Sequence, residues 1–180
     1  TFSAVLEPTF LPAQEQFSLL QVVALALVDA MKEYDIEARI KWTNDIYVGD
    51  KKLVGILMEH KLQGSQIGRT IAGIGLNINQ TEFDPSLPNP TSMRLLTGKQ
   101  YDREEVLNSI AHHLMQRYEM LQQGRLATLH TDYLGKLYKL GEKQTFALPN
   151  GTRFQGTIIG VEPQGALKIA DTEGQEHKFL

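Results

Sequence analysis

The spacing of apolar residues predicts a strand and then a helix in the opening part of the chain. Apolar and β-branched residues dominate positions 1–6, and Pro8 and Pro12 bracket a turn. Apolar residues then recur three and four positions apart, which is the helical period, at Phe17, Leu20, Ala24, Leu27 and Met31. The opposite side of this helix is also aliphatic, so we expect it to be covered on more than one side.

From residue 37 the apolar period falls to two, which is typical of a β-strand. Four strand-like runs between residues 37 and 78 are separated by Asn44-Asp45 and by glycine-containing turns at 49–51 and 64–65. Successive strands with short turns predict an antiparallel meander. The polar, proline-rich stretch 79–90 is predicted to be a loop.

In the second half of the chain, the sequence pattern changes from that of helices to that of short β-strands. Asp102 and Glu105 have the spacing of a capping box, and they open a predicted helix whose apolar stripe is Leu107, Ile110, Leu114 and Leu121. A further helical segment follows at 126–137. Beyond Gly141, short strand-like runs alternate with tight turns, one of them at 149–151. This alternation predicts a small β-barrel. We therefore expect an α+β fold with two domains, 1–136 and 137–180.

Composition excludes several classes of function. The 18 basic and 21 acidic residues give a net charge of −3, which does not support nucleic-acid binding, since that needs clustered Lys and Arg. With 0 cysteines, disulfides, thiolate nucleophiles and cysteine-ligated zinc are excluded, and a cytoplasmic location fits. The histidine spacing predicts no protein-ligated metal, and no apolar run suits a membrane span. Because Thr1 lies inside a predicted strand, we expect the chain to be part of a longer protein.

Three segments carry candidate chemistry, and each also has an ordinary structural reading. The strand containing Trp42 ends in Asn44-Asp45, which is either a polar site at a sheet face or a simple turn. Lys52 precedes an apolar strand that contains Gly55, and a glycine inside a strand can mark the close approach of a ligand. The Lys52 ammonium therefore either lies over a bound anion or is solvated in an ordinary turn. Gly73 and Gly75 share one strand face, which either leaves space for a planar ring or allows tight packing.

In this order and spacing, the three segments together resemble the biotin protein ligase family. The segments are Lys41-Trp-Thr-Asn-Asp-Ile-Tyr47, Lys52-Leu-Val-Gly-Ile-Leu57 and Gly73-Ile-Gly-Leu-Asn-Ile-Asn79. Residues 90–93 and 140–180 are similar to further parts of the family. The resemblance implies a mixed, largely antiparallel sheet with flanking helices, like the class II aminoacyl-tRNA synthetase core, and a small C-terminal SH3-like β-barrel.

The resemblance also implies a two-step reaction, with ATP, Mg²⁺ and biotin as reactants. Biotin is activated to biotinyl-5′-AMP and then transferred to a lysine of a biotin carboxyl carrier domain; a homodimer is compatible with it. By the match, Lys52 contacts the biotin carboxylate and the adenylate, and Asp45 is a second catalytic candidate. The substrate-binding candidates are Trp42, Asn44, Gly55, Ile56, Leu57, Gly73, Gly75 and Asn77, with Ile56 and Leu57 walling an apolar pocket and Asn77 bonding adenine.

Two alternatives stay open from the sequence. A lipoate–protein ligase shares the fold and the adenylate chemistry implied by the resemblance, and a biotin-sensing transcriptional repressor would use adenylate binding to drive DNA contact. The family's Gly-Arg-Gly-Arg-type loop, which holds part of biotin, is expected upstream of Thr1. We therefore expect these 180 residues alone not to catalyse adenylation.

Overall fold

The computed structural model describes residues 1–148 and 150–180, so Pro149 of the turn expected at 149–151 lies outside the described residues. The strands of the first part are β1 (Phe2–Leu6), β2 (Arg39–Lys41), β3 (Asp45–Val48), β4 (Lys51–Gln63) and β5 (Gln66–Leu76). The α-helices are α1 (Phe17–Lys32), α2 (Met93–Thr97), α3 (Arg103–Gln122) and α4 (Leu126–Gly135). The last strands are β6 (Lys143–Ala147), β7 (Arg153–Val161), β8 (Leu167–Asp171) and β9 (Glu176–Phe179).

The first five strands form one antiparallel sheet in the order β1-β5-β4-β3-β2. The meander expected between residues 37 and 78 is confirmed, and β1 adds to its far side by pairing with β5. Every strand pair of the described residues is antiparallel. The expected mixed sheet was therefore wrong in this detail, because parallel pairing occurs only as isolated bridges such as Ile40–Leu137 and Lys52–Pro90.

Helix α1 is the centre of the core. Of its 16 residues, only Asp29 and Lys32 are not buried, as its aliphatic composition predicts. It packs against the five-stranded sheet on one side and against α3 and α4 on the other. Alternate residues of β4 and β5 complete this core, among them Val54, Ile56, Ala72 and Ile74, each at most 2% exposed. On the opposite face, Val5, Leu57 and Ile71 are 59%, 63% and 38% exposed, so no helix of the described residues covers them.

Helix α3 begins where its capping residue predicts. The Asp102 carboxylate accepts hydrogen bonds from the backbone amides of Glu104 and Glu105, which satisfies amides that lack a partner within the helix. The apolar stripe, however, includes Val106, which is 1% exposed, whereas Leu107 is 40% exposed. Placing Leu107 on the stripe was therefore wrong, because the neighbouring Val106 is the residue that joins the core.

The last four strands form a second antiparallel sheet in the order β6-β7-β8-β9. Its connection to the first sheet is tight, since the Ile40 amide donates to the Lys136 carbonyl and the Tyr138 amide donates to the Ile40 carbonyl, each at 2.8 Å. The chain is thus an α+β fold with two antiparallel sheets. Closure of the second sheet into a barrel stays a prediction. In the described part of the chain, the helices are too short or too polar to cross a membrane.

Candidate functional site

A shallow cleft of about 310 Å³ lies on the helix-free face of the five-stranded sheet. All three segments singled out in the sequence contribute to it, from β3, β4 and β5. The cleft is lined by Thr1, Asn44, Asp45, Lys52, Gly55, Ile56, Leu57, Gly73, Ile74 and Gly75. The tertiary structure therefore brings together eight of the ten predicted site residues, and Trp42 and Asn77 lie outside this lining.

Three glycines form the floor of the cleft. Gly55 pairs directly with Gly75 across β4 and β5, and Gly73 pairs with Leu57. A methyl group built at Gly75 would have its nearest neighbour at 3.9 Å, the Gly55 carbonyl oxygen, and one at Gly73 would have it at 3.7 Å, the Leu57 carbonyl oxygen. Packing does not require glycine here, so the strip is free surface that a planar group can cover.

An ion pair crosses the floor of the cleft. Lys52 Nζ lies 2.7 Å from Asp45 Oδ1, and their side chains are 42% and 24% exposed. Both lie over Gly55, where an added methyl group would be 3.5 Å from Lys52 Nζ and 3.8 Å from Asp45 Oδ1. The ammonium is thus held in a defined place yet remains accessible, and an anion that enters the cleft meets a positioned positive charge.

Asn44 and Ile56 connect β3 to β4 beside this ion pair. The Asn44 side-chain amide donates to the Ile56 carbonyl at 2.5 Å, and the Ile56 amide donates to the Asn44 carbonyl at 2.9 Å. Ile56 is 2% exposed and faces the core, whereas Leu57 is 63% exposed. Ile56 therefore contributes only its backbone to the cleft, where it bonds to Asn44. The Leu57 side chain forms apolar surface on the open face.

The loop 79–92 holds the backbone of Lys52. The Lys52 amide donates to the Asn89 carbonyl at 2.8 Å, and the Thr91 amide donates to the Lys52 carbonyl at 2.9 Å. The Asn77 side chain donates to the Thr91 carbonyl at 3.0 Å, so Asn77 lies at the base of this loop. No periodic pattern in the sequence indicates this supporting role of residues 89–91, and the available signal is the similarity of residues 90–93 to the family.

The hairpin that carries Lys52 is also anchored at its tip. Asp50 accepts hydrogen bonds from the Tyr138 hydroxyl and from Lys139 Nζ, the latter at 3.2 Å. These bonds, that of Tyr138 first, lower the pKa of the Asp50 carboxyl. The connection between α4 and β6 thus fixes the turn that joins β3 to β4.

Trp42 faces the second sheet. Its indole Nε1 donates to the Gly165 carbonyl at 2.8 Å, and its ring lines a separate cavity of about 670 Å³ together with Phe146, Ile158 and other residues of that sheet. The predicted ligand contacts of Trp42 and Asn77 stay predictions. Among the described residues, no group of three or more His, Cys, Asp or Glu side chains is placed to hold a metal. Asp45 is the one carboxylate in the cleft lining.

Comparison with known proteins gives a consistent result. Residues 1–77 match the model of the Biotin/lipoate A/B protein ligase family. The chain is 30% identical over 176 residues to the bifunctional ligase/repressor BirA of Bacillus subtilis, covering 96% of this chain and 54% of that protein. It is 29% identical over 162 residues to the biotin–[acetyl-CoA-carboxylase] ligase of Paracoccus denitrificans, covering 86% of this chain and 67% of that protein.

The fold is similar to that of a solved ligase. The biotin protein ligase from Aquifex aeolicus in complex with biotin and ATP superimposes with a TM-score of 0.81 at 27% identity, covering 99% of this chain and 74% of that chain. The chain spans about half the length of the BirA relative from Bacillus subtilis.

Proposed function

Because residues 1–77 match the model of the Biotin/lipoate A/B protein ligase family, we propose that the intact protein activates biotin with ATP and transfers it to a lysine of a biotin carboxyl carrier domain. The names of the relatives from Bacillus subtilis and Paracoccus denitrificans support a ligase of this kind, and so does the similarity to a ligase solved with biotin and ATP. The observation that carries the proposal is the Lys52–Asp45 pair over the glycine floor.

The first step joins two anions. A carboxylate oxygen of biotin forms a bond to the α-phosphorus of ATP while the bond to pyrophosphate breaks, which gives biotinyl-5′-adenylate. Bringing two unit negative charges to 4 Å costs about 4 kcal/mol at an effective dielectric near 20. The Lys52 ammonium offsets this repulsion and stabilises the charge that develops at phosphorus. Asp45, at 2.7 Å from Lys52, holds that ammonium in place.

Magnesium enters this proposal as part of the substrate Mg–ATP. Mg²⁺ commonly binds through one or two protein carboxylates together with phosphate oxygens, and Asp45 is the carboxylate that the cleft lining offers. The described residues fit a metal carried in on the nucleotide rather than one held by the protein alone. Its chemistry is to neutralise phosphate charge.

The second step is acyl transfer. The amine of the carrier lysine forms a bond to the carbonyl carbon of the adenylate, the bond to AMP breaks, and the nitrogen loses a proton as the amide forms. Asp45 attracts the incoming ammonium before it is deprotonated. The glycine floor supports the flat rings of the adenylate, and Leu57, at 63% exposure, covers apolar parts of the ligand. Asn44 holds β3 against β4 so that both charged residues keep their places.

The remaining expectations are part of the same proposal. The domain division is 1–136 and 137–180, with the second domain an SH3-like β-barrel, supported by the separate pairing of β6 to β9. Cytoplasmic location is supported by the 0 cysteines and by the proposed carrier substrate.

The test is exchange of labelled pyrophosphate into ATP, measured on the intact protein with biotin or with lipoate. We expect exchange with biotin, none with lipoate, and a loss of at least about tenfold in Lys52→Ala, or about 1.4 kcal/mol. Lys51→Ala is the matched control, because Lys51 is an exposed neighbour in the same hairpin and does not line the cleft. Lipoate-dependent exchange, or full activity in a folded Lys52→Ala variant, would contradict the proposal.

A further inference from the structure

The turn between β7 and β8 reaches from the second sheet to the segment that precedes the cleft residues Asn44 and Asp45. Gly165 in this turn has φ +104°, and a Cβ at this position would lie 2.7 Å from Phe17 Cδ2. Its carbonyl accepts the hydrogen bond from Trp42 Nε1 at 2.8 Å. The turn therefore contacts α1 and the residue after β2 with no space for a side chain.

A second set of contacts leads to the neighbouring residue Thr43. The rings of Phe17 and Tyr133 pack edge to face with centroids 5.5 Å apart. The Tyr133 hydroxyl donates to the Thr43 carbonyl at 3.4 Å. Burial raises the pKa of Tyr133, so this hydroxyl keeps its proton. Gly165 is thus connected to Trp42 directly and to Thr43 through two packed rings.

Trp42 and Thr43 lead directly into the cleft. The next residue, Asn44, accepts the Ile56 amide at 2.9 Å, and the one after it, Asp45, pairs with Lys52 at 2.7 Å. A shift of the backbone at 42–43 would therefore be transmitted within two residues to the carboxylate that holds the ammonium. Small displacements of such groups have large effects on catalysis.

We propose that Trp42 is a positioning residue, through which the β7–β8 turn of the second sheet sets Asn44 and Asp45 relative to Lys52. The kinetic part of this proposal rests on the proposed ligase function and deepens it. It assigns Trp42 a role distinct from the substrate contact that the family resemblance implies, and it makes Gly165 part of the support of the cleft.

The chain offers a closely matched pair of variants. Gly165→Ala and Gly174→Ala each place a methyl group at a left-handed glycine in a turn of the second sheet, with φ +104° and +84°. Only at Gly165 does that methyl group meet another residue, since nothing lies within 4 Å at Gly174. Trp42→Phe keeps an aromatic ring but removes the indole donor to Gly165, so it tests the same contact from the other side.

In biotin-dependent pyrophosphate exchange by the intact protein, we expect kcat to fall roughly threefold to tenfold in Gly165→Ala and in Trp42→Phe. The KM values for biotin and ATP should stay within about twofold, because Trp42 lies outside the cleft lining and a positioning role affects the transition state rather than ground-state binding. Gly174→Ala should keep the wild-type kcat. A raised KM with unchanged kcat in Trp42→Phe would overturn the proposal in favour of ligand contact, and so would equal kcat in folded Gly165→Ala and Gly174→Ala.

Hydrogen exchange gives a readout that does not depend on activity. The Ile56 amide, bonded to the Asn44 carbonyl, reports directly on the spacing of β3 and β4. Mass spectrometry of peptides covering 44–48 and 54–58 should show faster exchange in Gly165→Ala and Trp42→Phe than in Gly174→Ala. Unchanged exchange in both peptides would overturn the proposal. An intact wild-type protein without any pyrophosphate exchange would refute the ligase function instead, while the hydrogen-exchange comparison would still decide the positioning role.

Discussion

Two glycines of the first sheet and two glycines of the second sheet serve opposite purposes. At Gly73 and Gly75 of the first sheet, an added methyl group would find its nearest neighbours at 3.7 and 3.9 Å, which is ordinary contact. At Gly156 and Gly165 of the second sheet, the nearest atoms would be 2.7 Å away, on Ile169 and Phe17. At Gly73 and Gly75 glycine leaves open surface, whereas at Gly156 and Gly165 neighbouring side chains occupy the space.

A glycine in a strand can therefore serve packing or binding, and its surroundings distinguish the two. An interior glycine weakens a strand and therefore needs a reason. Where its missing side chain is replaced by a neighbour from the same protein, the reason is packing. Where nothing replaces it, and a fixed charge such as Lys52 lies beside it, binding of an external group is the better explanation.

The largest effect that separates the two sheets is expected at Gly156. In Gly156→Ala, the new methyl group would lie 2.7 Å from Ile169 Cγ2 and 3.0 Å from the Ala170 carbonyl oxygen. Overpacking of this kind costs about 1–3 kcal/mol, and urea unfolding of the intact protein measures it. The cost should be smaller in an Ile169→Ala background, where the nearer of the two clashing groups is absent. Wild-type stability in Gly156→Ala would show that packing does not require glycine at this position.

A weaker effect on folding but a clear effect on binding is expected at Gly75. Gly75→Ala should change the free energy of unfolding by less than about 1 kcal/mol, since alanine is accommodated and is less costly than glycine in a strand. The KM for biotin or ATP should nevertheless rise by roughly threefold or more, because the methyl group occupies the surface that the ligand covers. Steady-state exchange kinetics and urea unfolding together test this. An unaltered KM would show that the open strip is not ligand surface.

The smallest effect is a difference in pH dependence between the sheets. His60 of β4 lies 2.8 Å from the Thr70 hydroxyl, and burial lowers its pKa below 6.5. Protonation is therefore easier in the unfolded state, so stability is complete above about pH 6.5 and falls as the pH decreases through the folded pKa. In the second sheet, the pKa of Asp171 is lowered below 3.8, and the hydrogen bond with His177 is the largest cause. The stabilisation that the Asp171 carboxylate contributes is therefore lost only at lower pH.

Urea unfolding of the intact protein from pH 8 to pH 3 distinguishes the two pH ranges over which His60 and Asp171 affect stability. His60→Gln should reduce the loss of stability between about pH 7 and pH 5, and Asp171→Asn should alter the profile only below about pH 4. His112→Gln serves as a control because His112 is exposed on α3. Identical profiles for His60→Gln and the control would remove His60 from this account.

Local sequence signals located most of the elements correctly. The three- and four-residue period of α1, the glycine turns of the meander and the Asp102 cap correspond to elements in the structure. The errors arise where neighbours in space decide. Val106 and Leu107 are both aliphatic and lie four and three residues before Ile110, so the helical period allows either one, and burial in the tertiary structure selects Val106. Helix α2 has 5 residues, too few to show a period.

The order of the motifs and the type of most elements follow from the sequence alone, because strand alternation and short turns are local properties. That the three segments belong to one site was implied by the resemblance to the family. Which residues support the cleft from outside depends on tertiary packing. The hydrogen bond from Trp42 to Gly165 spans 123 positions, and the bond from Asn77 to Thr91 depends on how the loop 79–92 folds back. Such contacts leave no periodic signal, because they follow from how distant surfaces pack together.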